Sequence, residues 1–382
     1  MKSLRVLHRW RRESRALPHT HGNAFHLLCG GPEYFSALIS AIDGAHYEVL
    51  IESYIWADDA VGRAILAAAE AAARRGGFVR IIMDGVGSYS VKPEAHRLMR
   101  EAGGETGIFN PVRFKFIFRH WYERNHRKLA VIDGATAFIG GFGFWDVWVD
   151  EPPPKGWWDI GARVEGPIAA QFRRVFAHDW YLCRHHHLPA VREPAPAHHT
   201  GKEVLRLLPS VMGRRHLLLD LRRHIECARE RAYICTTYFI PSLLLRHALR
   251  RAARRGVDVR LLLPAPLKEA VAFMFAGRRH YHSLLAAGVR IFEYQPAFLH
   301  AKYAVVDRKW GYVGSSNLDN WSGRFNLEAD LETLSEGSVD ILSGRFLADL
   351  GDSREISFAR WKTRPFWMRV MERVFGWIDP LL

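Results

Sequence analysis

The chain has no long apolar run. Its nearest candidate, Tyr233 to Leu245, covers 13 residues and is interrupted by Thr236, Thr237 and Pro241. A spanning helix needs about 18 or more apolar residues, so no membrane span is expected. The first eighteen residues hold Lys2, Arg5, Arg9, Arg11, Arg12 and Arg15 without an apolar stretch, which argues against a secretory leader. Cysteine is scarce. Cys29, Cys183, Cys227 and Cys235 lack metal-ligand spacing and read as buried thiols of a reducing compartment. His185, His186 and His187 beside Cys183 read as an exposed basic cluster, not a metal site. Gly140-Gly141-Phe142-Gly143 lacks the spacing of a dinucleotide loop. Acidic residues are also short: 40 Asp and Glu face 54 Lys and Arg, a net charge of +14. That surplus points to a polyanionic partner, either nucleic acid or an anionic lipid surface.

What the chain does contain is one device written twice. His126-Arg-Lys-Leu-Ala-Val-Ile-Asp133 and His300-Ala-Lys-Tyr-Ala-Val-Val-Asp307 both read His-x-Lys-x-x-x-x-Asp. Each runs into a small-residue turn, Gly140-Gly141 or Gly314-Ser315-Ser316-Asn317. On a strand, alternate side chains share a face, so His126 projects with Lys128 and His300 with Lys302. Asp133 and Asp307 have the opposite parity and read as strand-end residues that anchor the scaffold. If the copies face each other, two imidazoles and two ammoniums converge, a set suited to nucleophilic attack on an anionic phosphodiester. One neutral His attacks phosphorus to form a phosphohistidine. The other gives a proton to the leaving alkoxide and takes one from the incoming alcohol or water. Lys128 and Lys302 stabilise the charge that builds on the phosphate oxygens, so no metal and no cofactor is expected. The two copies are symmetric, and their residues alone do not choose the nucleophile.

The duplication extends past the motifs. Ala64 to Ala73 reads as a helix that stops at Gly76-Gly77 and leads into an apolar strand, Phe78 to Asp84; Leu243 to Ala253, Gly256 and Val257 to Pro264 repeat the plan. This is the pattern of a parallel α/β sheet. Pro189 to Gly201, with three prolines and little to bury, reads as a linker. The expected architecture is therefore α/β. Residues 1–21 form a basic amphipathic segment, 22–188 a first lobe, 189–202 the linker, 203–356 a second lobe, and 357–382 a C-terminal aromatic and basic helix. The site lies at the seam.

The paired motif resembles the phospholipase D superfamily in its two-motif form. Gly22-Asn23, Gly30-Gly31-Pro32-Glu33, Ile51 to Trp56, Thr236 to Pro241 and Glu293-Tyr294-Gln295-Pro296 are similar to the bacterial cardiolipin synthases, over roughly residues 22 to 362. The resemblance implies two related lobes in pseudo-twofold arrangement. It implies catalytic triplets His126, Lys128, Asp133 and His300, Lys302, Asp307, with His126 as nucleophile. It also places an orienting carboxylate about thirty residues after each His, positions that Asp159 and Glu328 occupy. The family's phosphate-binding turn maps onto Ser315 and Asn317, whereas the first copy carries Gly143 in place of Asn.

The termini help to choose a substrate. Leu4, Leu7 and Trp10 lie among the N-terminal basic residues. Trp361, Phe366, Trp367, Met371, Phe375, Trp377 and Ile378 interleave with Arg360, Lys362, Arg364, Arg369 and Arg373. On a helix this is an aromatic face with a basic flank, the composition of an interfacial membrane helix; a helix packed on the second lobe is the other reading. The expected enzyme is a phosphatidyltransferase that makes cardiolipin, peripheral on the cytoplasmic face of a bacterial inner membrane. Its partners are the anionic bilayer and phospholipids, phosphatidylglycerol first and phosphatidylethanolamine second, with no obligatory nucleic acid. Hydrolysis as a phospholipase D, and cleavage of nucleic acid as a nuclease, are alternatives with the same chemistry. A non-enzymatic membrane-binding protein would have no use for two intact His-Lys pairs.

Overall fold

Helix, glycine stop and apolar strand recur in both halves. The structure, a computed structural model, describes residues 17–111, 123–149, 156–184, 186–188, 200–210, 216–266, 271–319 and 325–376. The first half holds strands β1 (Thr20–Cys29), β2 (Glu48–Ser53), β3 (Phe78–Asp84), β4 (Glu105–Phe109), β5 (Arg124–Asn125), β6 (Leu129–Ile132), β7 (Thr136–Gly140), β8 (Trp157–Trp158) and β9 (Ile160–Glu165). Helices α1 (Gly31–Asp43), α2 (Ala60–Arg74), α3 (Pro93–Glu101) and α4 (Ala169–Arg184) accompany them. The second half holds β10 (Glu203–Pro209), β11 (Arg231–Cys235), β12 (Asp258–Pro264), β13 (Arg290–Tyr294), β14 (Phe298–Leu299), β15 (Tyr303–Val306), β16 (Trp310–Gly314), β17 (Asn326–Leu327), β18 (Ala329–Thr333) and β19 (Ser353–Glu355). Its helices are α5 (His216–Cys227), α6 (Leu243–Arg254), α7 (Val271–Arg278), α8 (Tyr281–Leu285), α9 (Glu336–Gly351), α10 (Phe358–Lys362) and α11 (Phe366–Gly376).

The strands join in the order β19-β13-β12-β11-β15-β16-β18-β10-β1-β9-β7-β6-β2-β3-β4. The sheet therefore reads as two related halves that meet edge to edge at the antiparallel β1–β10 pair. Each half has three parallel strands, β2-β3-β4 or β11-β12-β13. Each is completed by an antiparallel set that includes β6-β7-β9 or β15-β16-β18. The parallel strands expected from the repeat are present in both halves, and the antiparallel strands beside them make the whole sheet mixed. Helix crossovers mark only the parallel part; the hairpin connections of the rest carry no helix to be read.

Both faces of the central strands are covered, which is why they are apolar without alternation. Leu50, Leu129, Val131, Tyr303 and Val305 point into a core that both lobes share, with Phe172, Phe176, Val339 and Phe346 from α4 and α9. Their neighbours Val49, Ile51, Ala130 and Ile132 face a core under α1 and α2. Ala304 and Val306 face another under α5 and α6. The lobes therefore fold against one interior rather than hanging from a linker. Of the expected N-terminal segment and linker, residues 1–16 and 189–199 lie outside the described residues, as do 377–382 of the C-terminal stretch.

The four cysteines are unpaired, but only Cys235 is buried and Cys227 is exposed, a correction to the expectation of four buried thiols. His186 and His187 are exposed. Among the described residues no helix is long and apolar enough to cross a membrane.

Candidate active site

Asp133 and Asp307 settle the ends of the motif strands. Both adopt a positive φ of 52°, which a short polar side chain tolerates better than most. Asp133 accepts hydrogen bonds from the backbone N–H groups of His46, Tyr47 and Glu48 at 2.7–2.9 Å. Asp307 accepts from Arg229, Glu230 and Arg231 at 2.8–3.3 Å. Each carboxylate thus ties a hairpin to the start of the neighbouring strand. These bonds are those of scaffold groups, in keeping with the parity of the two residues on their strands.

The His and Lys residues lie between strands, His126 to Lys128 linking β5 to β6 and His300 to Lys302 linking β14 to β15. Here the lobes cross. Strand β5 pairs with β17 and β14 with β8, each pair parallel and each drawn from both lobes. The crossing continues as the His126 N–H donates to the Leu327 carbonyl at 2.9 Å and the His300 N–H to the Trp158 carbonyl at 2.7 Å. The next residue after each acceptor is an orienting carboxylate. Glu328 therefore stands at His126, both oxygens 2.9 Å from Nδ1. Asp159 stands at His300, with Oδ2 2.6 Å from Nδ1. The expected pairing of each His with the carboxylate that follows it is corrected: the partners are exchanged between lobes. An Nδ1–H held by a carboxylate leaves the Nε2 lone pair for the substrate.

Lys128 donates to the His126 carbonyl at 2.7 Å, and Lys302 donates to the His300 carbonyl with Nζ 2.9 Å from His300 Nδ1. Burial shapes the charge of the whole cluster. It pulls Lys128 down to about 7 and Lys302 to about 8, with nearby carboxylates opposing the shift. It pushes Asp159 and Glu328 up to about 7, with the lysines opposing. Both imidazoles fall well below their ordinary value, first through burial and then through the charges of both lysines. Each His thus feels the ammonium of the other lobe, which places the two pairs in one electrostatic unit.

The second turn is more fully built than the first. Ser315 donates to Glu328 Oε2 at 2.6 Å and accepts from the Ala329 N–H. Its hydroxyl thus holds the carboxylate that holds His126. Asn317 is buried, and its Oδ1 has no partner among the described residues. Gly143 occupies the matching place in the first lobe, since the Phe144 carbonyl accepts from Ala57 as the Leu318 carbonyl accepts from Ile240. A Cβ on Gly143 would stand 2.7 Å from the Ile55 Cβ and 3.2 Å from the Trp148 ring. Ile55 and Trp148 thus fill the space that a side chain at this position would take.

Sequence reading missed several neighbours. Trp157 stacks on His300 at 4.9 Å and Trp148 meets it edge-on at 5.5 Å. Tyr54 lies 4.9 Å from His126, with Lys128 Nζ over its ring. Arg127, fully buried between His126 and Lys128, donates to the Glu328 carbonyl at 3.0 Å, to the Ser210 carbonyl at 2.7 Å and to the Asp179 carboxylate. Against its own burial, Asp179 is held down to about 2 by that guanidinium. The signal for Arg127 was its contrast with Ala301 in the second copy.

The sequence profile of the family described as "Cardiolipin synthase, PLD-like domain" matches residues 38–180 and 221–350. The chain belongs to that family. A cardiolipin synthase of Geobacillus sp. (strain WCH70) is 31% identical over 93% of this chain and 72% of its own length. Cardiolipin synthase A of Pseudomonas fluorescens (strain SBW25) is 33% identical over 96% and 76%. The fold is similar to phosphatidylserine synthase of Haemophilus influenzae Rd KW20, with a TM-score of 0.75 at 14% identity over 98% of this chain and all of that one. It is also similar to polyphosphate kinase of Porphyromonas gingivalis, with a TM-score of 0.60 at 12% identity over 94% of this chain and 53% of that one. Among the described residues of this family member, no group of three or more His, Cys, Asp or Glu is arranged to hold a metal.

Proposed function

We propose that the protein transfers a phosphatidyl group from one phospholipid to the glycerol headgroup of phosphatidylglycerol, forming cardiolipin through a phosphohistidine on His126. The observation that carries this reading is the crossed pair of half-sites, each His oriented by a carboxylate of the other lobe and both beside Lys128 and Lys302. The names of the relatives supply the substrate class. In the first step His126 Nε2 bonds to phosphorus while the bond to the headgroup oxygen breaks, and His300 protonates that oxygen. In the second step the acceptor alcohol gives its proton to His300 and displaces His126 from phosphorus.

His300 needs a proton to begin, yet burial and the lysine charges disfavour it in the empty site. A phosphodiester anion between the lysines offsets their charge, so substrate raises the acid it requires. Lys128, Lys302 and Asn317 are the groups we assign to the phosphate oxygens.

The protein would work as a peripheral enzyme at an anionic bilayer, on the cytoplasmic face. Its net charge is +14. Helix α11 exposes Phe366 (77%), Trp367 (56%), Val370 and Val374 beside Arg369 and Arg373, an amphipathic face of the interfacial kind. The test is incubation of purified protein with labelled phosphatidylglycerol in mixed micelles. Cardiolipin and glycerol in equal amounts are expected; phosphatidic acid without cardiolipin would identify a hydrolase, and cleavage of single-stranded DNA instead a nuclease.

A further inference from the structure

We infer that a pocket in the second lobe, beside His300, takes an acyl chain of the phospholipid whose phosphate is held between the two lobes. This rests on the phospholipid reading above and adds a place for the lipid's apolar part. The pocket is a narrow cleft whose roughly 440 Å³ of free space includes the solvent at its open mouth, room for a thin flexible chain and not for a bulky rigid group. Its walls include Tyr238, Phe239, Leu263, Phe273, Met274 and Phe298.

Phe298 ties the pocket to the candidate active site. Its ring lies 4.9 Å from Trp157 and 6.4 Å from His300. The internal duplication shows why a pocket exists on this side. Ser53 Oγ donates to the Ile55 carbonyl as Thr236 Oγ1 donates to the Tyr238 carbonyl, so Tyr54 corresponds to Thr237. In the first lobe the Tyr54 ring fills the space against His126. In the second lobe the matching residue is small, and the pocket extends behind it.

The lining chemistry selects the occupant. Among the described residues the one charged liner is Arg278, which is paired with Glu293 at 2.5 Å. Nucleotide or sugar groups would therefore find little to bind, whereas a methylene chain would lose water against the apolar walls. Thr237 is 4% exposed, and its hydroxyl has no partner among the described residues. A buried hydroxyl left without a partner is costly; a glycerol ester carbonyl at the head of an acyl chain would accept its proton.

The roof of the pocket leads toward the proposed membrane face. Helix α7 contributes Phe273, Met274 and Gly277, and a Cβ on Gly277 would stand 2.6 Å from the Phe239 carbonyl oxygen. Glycine lets the helix close over the pocket. On α7, Phe275 stacks with Phe375 and meets Trp367 of α11. The helix that covers the pocket thus also seats the helix with the exposed apolar face.

The experiment uses the full chain and phosphatidylglycerol carrying a diazirine within one acyl chain. After irradiation in mixed micelles, peptide mass spectrometry should find label on the Phe273–Met274 segment and on Tyr238 or Phe239; label confined to α11 and other outer surfaces would overturn the inference. In parallel, kcat/KM for long-chain phosphatidylglycerol is compared with that for glycerophosphoglycerol, which lacks the chains. Met274→Trp should lower that ratio at least tenfold, and Thr237→Val severalfold. An unchanged ratio in the folded variants would count against the pocket. A protein that labels in the pocket but makes no cardiolipin keeps this inference and loses the transferase reading. Cardiolipin formed without pocket labelling does the reverse.

Discussion

Gly143 shows what one missing side chain decides. Asn317 is accommodated as a buried side chain in the second lobe, but any side chain at Gly143 meets Ile55 and Trp148. Gly143→Asn should therefore not restore a symmetric phosphate site. It should overpack the turn, at a cost of about 1–3 kcal/mol, seen as a lower urea midpoint with transfer reduced. A variant as stable and active as the parent would contradict this packing account.

The lysines give a pH signature. In the empty site Lys128 and Lys302 lose their protons as pH rises through about 7 and about 8, so kcat/KM should fall across that range. Bound phosphate favours the ammonium forms, so the alkaline limb of kcat should lie at higher pH. Coincident limbs would show that the lysines do not hold the phosphate. Stability follows the same groups. Folding depresses both lysines below their unfolded value near 10.4. Their contribution is thus full above that value and lost as pH falls through about 8 and then 7. Asp159 and Glu328, raised to about 7, contribute fully below their unfolded values near 4 and lose that contribution as pH rises through 7.

At this scale much was legible. Spacing alone singled out both His, both Lys and, by parity, the scaffold place of Asp133 and Asp307. The exchange of Glu328 and Asp159 between lobes was not legible, because spacing along the chain says nothing about which lobe a strand end faces. The bond from Ser315 to Glu328 escaped the sequence for a related reason: a hydroxyl suits a phosphate as well as it suits the carboxylate 2.6 Å away.

Among the elements, the short strands β5, β8, β14 and β17 do the joining. They are two residues long, too short for any periodic signal, yet they carry the crossing. Arg127 reinforces one side of it, reaching from the first lobe to the Glu328 and Ser210 carbonyls of the second while paired with Asp179. Ser210 in turn donates its backbone N–H to the Glu328 carbonyl at 2.9 Å, and its hydroxyl oxygen accepts from the Glu328 N–H at 2.7 Å. Removing one partner of a buried ion pair costs about 3–5 kcal/mol. Arg127→Ala should lose stability on that scale in urea unfolding and slow transfer through a loosened Glu328. A loss below about 1 kcal/mol would mean that the guanidinium is not the latch the geometry describes. The longer elements were easier to read. The helix expected over Ala64 to Ala73 lies within Ala60–Arg74, and the strand expected over Phe78 to Asp84 has those limits. Strand direction escaped the reading because doubly covered strands are apolar throughout, and an apolar run has no arrow.

For the molecule as a whole, the shared core and the exposed face of α11 belong to different tasks. One side of α11 is a structural contact: Phe375 stacks on Phe275, and the buried Glu372 pairs with Arg364 at 2.6 Å. The other side exposes the apolar and basic residues that the proposed membrane contact would use. Replacing Phe366 and Trp367 together by Glu should weaken binding to anionic vesicles at least tenfold while the melting curve stays close to the parent. Binding by the parent should itself weaken steeply with salt. Vesicle binding that ignores both changes would remove α11 from the membrane account.

The central claim is that His126 carries the phosphatidyl group while His300 handles protons. A His300→Ala variant given a phosphatidyl donor with a p-nitrophenol leaving group isolates the first step, because p-nitrophenolate departs without a general acid. The second step then lacks its base. Peptide mass spectrometry after an alkaline quench should find a phosphatidyl adduct on His126, formed with a burst of p-nitrophenolate close to one per protein. An adduct on another residue, or steady release of p-nitrophenolate with no adduct on His126, would contradict the account.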